Sequence, residues 1–495
     1  MVYKRIVQRG LLIVALCQFF LLANAQQILT LDKALEIANA NSPSIKATLL
    51  SLERSEQTLK AQNAALKSSF SLNLTPFSYS KSRSFQELQS IWNTSETTES
   101  FGTFTISQPI LPTDGTISLN NRFGWQDNKS EFTKNTESKS FSNNLYLSLN
   151  QPLFTYNKTK LNLKSLENDL ENAELNYAMQ KLNLEKQVTQ MFYNVYFAQM
   201  QLTIAKDELA NTQKTYELTQ NNVEAGLAAK EELYQAEVNL ATAKSSVQNN
   251  QVTLDNSKDS FKQYLGLNIN DEITVMANVD TAPVQVDMAK AIDWGQKSRM
   301  ELRQRQISIE SAQFTMIQTK ALNEFKGSMN LSVGIIGTDG SLPDIYDSPT
   351  SNPKVSVSFN IPLYDWGEKK ARIAAQEASI ETAKLNLSNQ EVQITIDIRK
   401  SYRNLQNLVT QIEIAKQNEE NSKRTFEINQ EKYKYGDLSG MDMNLYQTQL
   451  SSKSLSLAQA KIDYKIELLN LKILSLYDFE KNEPVVPEKL INQKK

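Results

Sequence analysis

The feature that most constrains this chain is that it repeats itself at fixed offsets. Asn150-Gln151-Pro152-Leu153-Phe154 returns 210 residues later as Asn360-Ile361-Pro362-Leu363-Tyr364. At the same offset Ile204-Ala205-Lys206 meets Ile414-Ala415-Lys416, Gly226 meets Gly436, Glu232 meets Asp442 and Leu240 meets Leu450. A second offset, 257, relates the segments before these: Ala34 to Ala291, Ser44-Ile45 to Glu301-Leu302, and Leu72-Asn73-Leu74 to Met329-Asn330-Leu331. Repetition over so long a period marks supersecondary units that bury their apolar faces against one another. The expected organisation is two copies of helix–strands–long helix–turn–long helix, at 26–267 and 287–477, joined by a linker at 268–286. The change of offset places extra residues in the first copy, read as an added hairpin at about 101–127.

Within each copy the longest segments carry a heptad seam. Val188, Met191, Val195, Ala198, Leu202, Ala205 and Leu209 alternate at spacings of three and four, and the pattern resumes after Gly226 with Leu233, Ala236, Leu240, Ala243 and Val247. Two seams meeting at a glycine predict an antiparallel coiled-coil hairpin, with Gly226 and Gly436 as the tip turns. A helix from about Lys158 to Asn222 would run roughly 100 Å at 1.5 Å per residue. Alone, this pattern fits a filamentous coiled coil equally well.

The shorter segments alternate at period two. Phe70, Leu72 and Leu74 interleave with Ser71, Asn73 and Thr75, and Leu145, Leu147 and Leu149 with Tyr146, Ser148 and Asn150. Met329 to Ile335 and Val355 to Ile361 do the same. A half-buried soluble sheet gives this alternation, and so does a strand crossing a bilayer. Residues 1–25 favour the second. Lys4, Arg5 and Arg9 precede an apolar run, and Ala23-Asn24-Ala25 offers a signal-peptidase site before Gln26. A lipidated Cys17 fits less well, since Leu16 stands where a small residue is wanted. No later stretch is apolar enough for a membrane helix, so a membrane location requires a closed barrel of strands. Four to six strands cannot close alone, because small barrels need about eight. Several copies must share one barrel, and three chains of four strands would give twelve. Thr103–Gln108 and Thr116–Trp125, joined by Pro112-Thr113-Asp114-Gly115, are either two further barrel strands or a hairpin outside the membrane. The end of the chain, 478–495, with its prolines and lysines, is expected to be disordered.

Composition removes most chemistry. The chain has no histidine and one cysteine, Cys17, which leaves with the leader. Ser/His and Cys/His nucleophiles and the usual zinc sites are excluded. No Walker loop is present, and Gly334, Gly337 and Gly340 lack the strand-to-helix setting of a dinucleotide site. The formal charge is −2, more acidic once a leader with three basic residues is gone, which argues against nucleic acid. An enzyme is not expected, and neither is a cofactor or a metal site.

The residues resemble the TolC-like outer membrane efflux protein family from about Leu29 to Tyr477. The resemblance rests on the junctions Gln151-Pro152-Leu153-Phe154 and Pro362-Leu363-Tyr364-Asp365-Trp366-Gly367, and on the two tip glycines, each followed by an acid six residues on. Proline at such a junction suits the end of a ladder and the first turn of a helix. The resemblance implies a mainly α fold with β: a homotrimer with a β-barrel shared in the outer membrane and a helical barrel in the periplasm. It implies a passive exit duct for small molecules, docking with a periplasmic adaptor and an inner-membrane transporter. It further implies a gate at the tips, with Asp442 in a carboxylate ring and Tyr433 bonding across to the first copy, where Glu232 matches its partner. The second gate acid is replaced by Leu445 and a basic residue by Leu438. Independently, Ser439-Gly440-Met441-Asp442 is a helix-capping pattern, which accounts for Asp442 without a pore. A type I protein secretion duct of the same architecture, or a coiled-coil scaffold with a soluble β head, remain as alternatives.

Overall fold

The structure is a computed structural model that describes residues 27–87, 90–130, 137–280, 282–435 and 437–485. The expected leader, the tip glycine Gly436 and the chain beyond 485 lie outside the described residues. The elements in order are β1 (Gln27–Leu29), α1 (Leu31–Asn41), α2 (Pro43–Ala65), β2 (Ser69–Gln86), β3 (Ile91–Ile110), β4 (Gly115–Ser130) and β5 (Glu137–Leu153). Then come α3 (Lys158–Glu224), α4 (Lys230–Leu265), β6 (Ile273–Val275), α5 (Met288–Ser298), α6 (Met300–Lys320), β7 (Lys326–Asp339), β8 (Thr350–Ser351) and β9 (Lys354–Asn360). The chain ends with α7 (Glu368–Lys434), α8 (Gly440–Ser475), β10 (Tyr477–Asp478) and β11 (Glu483–Pro484). No described helix is long and apolar enough to cross a membrane.

The repeat is reproduced to the residue. α3 and α7 are both 67 residues long and start 210 apart, and α4 and α8 are both 36 residues long at the same offset. Their C-caps, Gly266 at φ 72° and Leu476 at φ 53°, are both left-handed. α1 and α5 are both 11 residues long and start 257 apart, with side-chain caps from Thr30 and Asp287.

The chain divides into two compact units, one of residues 1–50, 175–303 and 388–495, the other of 51–174 and 304–387. In the first, the predicted seam is the core: Val188, Val195, Ala198 and Leu202 are buried with Leu254, Phe261 and Leu265 of α4. The expected linker supplies β6, which pairs in parallel with β1 and buries Ile273 and Val275 beside Leu29. The expected disorder from 478 does not hold as far as 485. Tyr477 and Asp478 pair with Pro484 and Glu483, because buried Asp478 accepts the backbone N–H of Glu480 and Lys481, both at 3.0 Å, and meets Lys472 at 3.2 Å.

The second unit holds one antiparallel sheet in the order β2-β3-β4-β5-β7, followed by β8 and β9. β8 and β9 lie on the same side of β7 and continue one another through Asn352, whose N–H donates to the Gly334 carbonyl at 2.8 Å. The extra hairpin is therefore part of this sheet, and its strands are longer than expected. Residues directly paired across strands share a face, so the register sorts the side chains. One face reads Phe70–Ile106–Leu119–Leu147–Val333 and Leu72–Phe104–Asn121–Leu145–Ile335, then Gln108–Ile117–Leu149–Leu331–Val355. The other reads Ser69–Ser107–Ser118–Ser148–Ser332–Lys354 and Ser71–Thr105–Asn120–Tyr146–Gly334. The apolar face is exposed, with Phe70 at 68 % and Val355 at 72 %. Aromatic residues gather beyond both ends of the aliphatic rows: Trp125 opposite Phe141 at one, and Phe325 stacked on Phe359 at 5.4 Å at the other. An aliphatic band between two aromatic girdles, backed by a polar face, is the signature of a barrel wall in lipid.

Candidate functional site

The tips of the two helical hairpins are built alike. α3 ends where Leu227 N–H reaches the Asn222 carbonyl at 2.8 Å and Gly226 N–H the Val223 carbonyl at 3.1 Å. This closure requires a left-handed residue at its turn, supplied by Gly226 at φ +71°. In the second copy Asp437 N–H reaches the Lys432 carbonyl at 3.0 Å, the same bond 210 residues on.

The helices that leave these turns start differently. α4 has Ala229 at its N-cap and no side-chain cap, with Glu231 and exposed Glu232 in its first turn, where the helix dipole favours acids. α8 is capped by Ser439, whose Oγ accepts from the Asp442 N–H at 3.1 Å and donates to Asp442 Oδ2 at 2.8 Å. Asp442 thus reaches back to the serine hydroxyl, while its residue stays exposed.

Tyr433 does cross to the first copy, but to a different partner from the one the resemblance implies. Its hydroxyl donates to the Thr215 carbonyl at 3.5 Å, and Glu232 is not its partner. Around this contact the hairpins approach closely over a cleft lined by Thr215, Leu218, Tyr433, Gly440, Met443 and Gln447. A Cβ on Gly440 would lie 3.4 Å from the Thr215 methyl, and Asn211 donates to Gln447 at 3.0 Å. Sequence reasoning missed the apolar character of the tips: Leu227 (79 % exposed), Tyr435 (80 %), Met441 and Leu445 are all exposed.

The strand-to-helix junctions correct the expected role of the prolines. Pro152 stays in the ladder opposite Ser328, beyond the last β4–β5 pair, where one neighbour remains and a missing N–H is tolerated. Pro362 likewise precedes its helix, α7, by six residues. The reversal is made instead by left-handed residues, Phe154 at φ 58° in one copy and Trp366 at 52° with Gly367 at 85° in the other. Carboxylates then start the helices. In the first copy Asp114, in the β3–β4 turn, accepts the N–H of Lys158 at 3.2 Å and of Thr159 at 3.1 Å. In the second, Asp365 accepts from Lys369 at 3.1 Å and Gly367 at 3.0 Å, and these backbone donors hold its carboxyl below the usual aspartate value.

A membrane-type sheet and two matched hairpins with twin turns define the architecture, and comparison with known proteins agrees. Residues 116–267 and 296–475 match the family described as outer membrane efflux protein. The chain belongs to that family. Its fold recurs in the Campylobacter jejuni CmeC outer membrane channel, at 15 % identity over 94 % of this chain and 88 % of that one, with a TM-score of 0.68. It recurs in the VceC outer membrane protein of Vibrio cholerae, at 15 % identity over 90 % and 94 %, with a TM-score of 0.63. It recurs also in the open state of the Neisseria gonorrhoeae MtrE outer membrane channel, at 15 % identity over 90 % and 88 %, with a TM-score of 0.63. No functionally curated protein matches the chain. As a family member this is an outer membrane efflux protein, with its strands in the outer membrane and its helical part in the periplasm.

Proposed function

We propose that three copies form a passive exit duct for small molecules, coupled to a periplasmic adaptor and an energised inner-membrane transporter. The observation that carries this reading is the sheet: it has a lipid-type face, a polar face and two free edges, β2 and β9, among the described residues. Open edges do not survive in hydrocarbon, so copies must join edge to edge around a polar lumen. The hairpin tips support the rest of the reading. Exposed Leu227, Tyr435, Met441 and Leu445 offer a docking surface to a partner, and Asp442 of each copy contributes to a carboxylate ring that favours cations. Glu232 and Tyr433 stand beside that ring, Tyr433 holding the two hairpins together.

The test is chemical cross-linking in cells, detergent extraction and identification of what co-purifies. An adaptor with a small-molecule transporter is expected. A transporter dedicated to polypeptides would replace efflux by type I secretion. Release without detergent, with no envelope partner, would contradict the reading.

A further inference from the structure

We propose that the inserted hairpin β3–β4 is a full member of the barrel, so that three copies close eighteen strands rather than twelve. This rests on the trimeric reading above and adds the size of the pore. The sheet has six strand positions, counting β8 and β9 as one, and the insert occupies the second and third of them. It is paired along nearly all of its length, with Ser69–Ser107 to Gln86–Ile91 on one side, broken once between Thr75 and Ser78, and Thr116–Asn150 to Lys129–Glu137 on the other. β2 and β5 do not pair with each other among the described residues, and the insert stands between them. The aliphatic rows and the serine row both run through the insert without changing face.

A second observation is independent of the pairing. Ser107-Gln108-Pro109-Ile110 at the end of β3 repeats Asn150-Gln151-Pro152-Leu153 at the end of β5. The two glutamines act alike: Gln108 donates to the Leu66 carbonyl at 3.0 Å and Gln151 to the Thr113 carbonyl at 2.8 Å, each tying the end of its strand to the connection that leads into the neighbouring strand, β2 or β4. The insert therefore ends at the same level of the wall as β5 and in the same way. Its turn is seated there, with Asn157 donating to Leu111 at 2.6 Å and Asp114 capping α3.

Strand directions alternate from β2 to β9, so the closing pair, β9 of one copy against β2 of the next, is antiparallel like every other ladder in the sheet. With strands 4.8 Å apart and tilted about 40°, the backbone radius grows from about 12 Å for twelve strands to about 18 Å for eighteen. Barrels of 16–18 strands enclose an aqueous channel. The lumen wall here carries serine, threonine and asparagine, and its few charges include Arg122 and Glu99, paired at 3.5 Å. Lys354 and Lys326 add positive charge to the same face. The membrane part would be a wide, hydroxyl-lined and lightly basic bore that does not select cargo by size, and selection falls to the tips.

The test is a cryo-electron-microscopy map of the detergent-purified wild-type protein, read for copy number and strand count. Three copies closing eighteen strands, with β3 and β4 in the wall, is the expected result. Three copies closing twelve, with the insert outside the wall, would overturn this inference and leave the proposed duct intact. Two copies closing twelve would overturn both.

Discussion

Asp114 and Thr159 lie 45 residues apart, yet the carboxylate of one accepts the backbone N–H of the other at 3.1 Å and also accepts a hydrogen bond from its hydroxyl. A turn between two strands thereby supplies the missing acceptor at the start of a 67-residue helix. Replacing Asp114 by alanine should cost about 1–2 kcal/mol, the usual range for a lost N-terminal cap. Scanning calorimetry in detergent should show a lower midpoint for Asp114→Ala and a smaller change for Asp114→Asn, which keeps an acceptor. Equal loss in both would mean that charge, not capping, matters there.

Gly226 tests the tip. Nothing lies within 4 Å of a Cβ built on it, so Gly226→Ala meets no clash and reports backbone strain alone. The left-handed conformation costs a non-glycine residue about 1–2 kcal/mol. Hydrogen exchange should quicken in the last turn of α3, less so for Gly226→Asn. An unchanged exchange rate would contradict the left-handed turn.

The two roles of Asp442 can be separated. Ser439→Ala removes the cap of α8, at about 1 kcal/mol, and leaves the carboxylate in place. Asp442→Asn keeps the serine acceptor and removes the charge. If the acids form a ring, Asp442→Asn alone weakens cation preference and block by multivalent cations. If both variants conduct like the wild type, Asp442 serves only the helix start.

Acid should loosen the end of the chain. Burial would raise the Asp478 carboxyl, but the Lys481 N–H, the Lys472 ammonium and the Glu480 N–H outweigh it and hold the pKa below 3.8. A carboxyl depressed in the folded state stabilises above its unfolded value, and that contribution is lost as pH falls below 3.8 through the folded value. Exchange at residues 477–484 should therefore rise at that acidity in the wild type. In Asp478→Asn it should be raised already at neutral pH, with little further change on acidification.

The repeat, the seams and the strands were legible because each rests on period: 210 and 257 for the copies, three and four for the helices, two for the sheet. The seam residues Val188 and Val195 are fully buried, as their spacing predicts. What was not legible depends on contacts between distant segments. Asp114 reads as an ordinary turn residue until the turn is placed over α3. Pro152 looks like a helix starter, but the ladder with β7 still holds it opposite Ser328. The pairing of Tyr433 with the Thr215 backbone has no signal in sequence, since any carbonyl on that face of α3 could serve. The membership of the insert in the sheet did have one, the repeated Gln-Pro at 108 and 151.

The central claim is that copies of this chain enclose a conducting path across the outer membrane. Planar-bilayer recording of the purified wild-type oligomer tests it most directly. The account predicts discrete single-channel steps with a preference for cations that falls in Asp442→Asn. Bilayers that stay silent with correctly folded, detergent-extracted protein, under voltage of either sign, would contradict it.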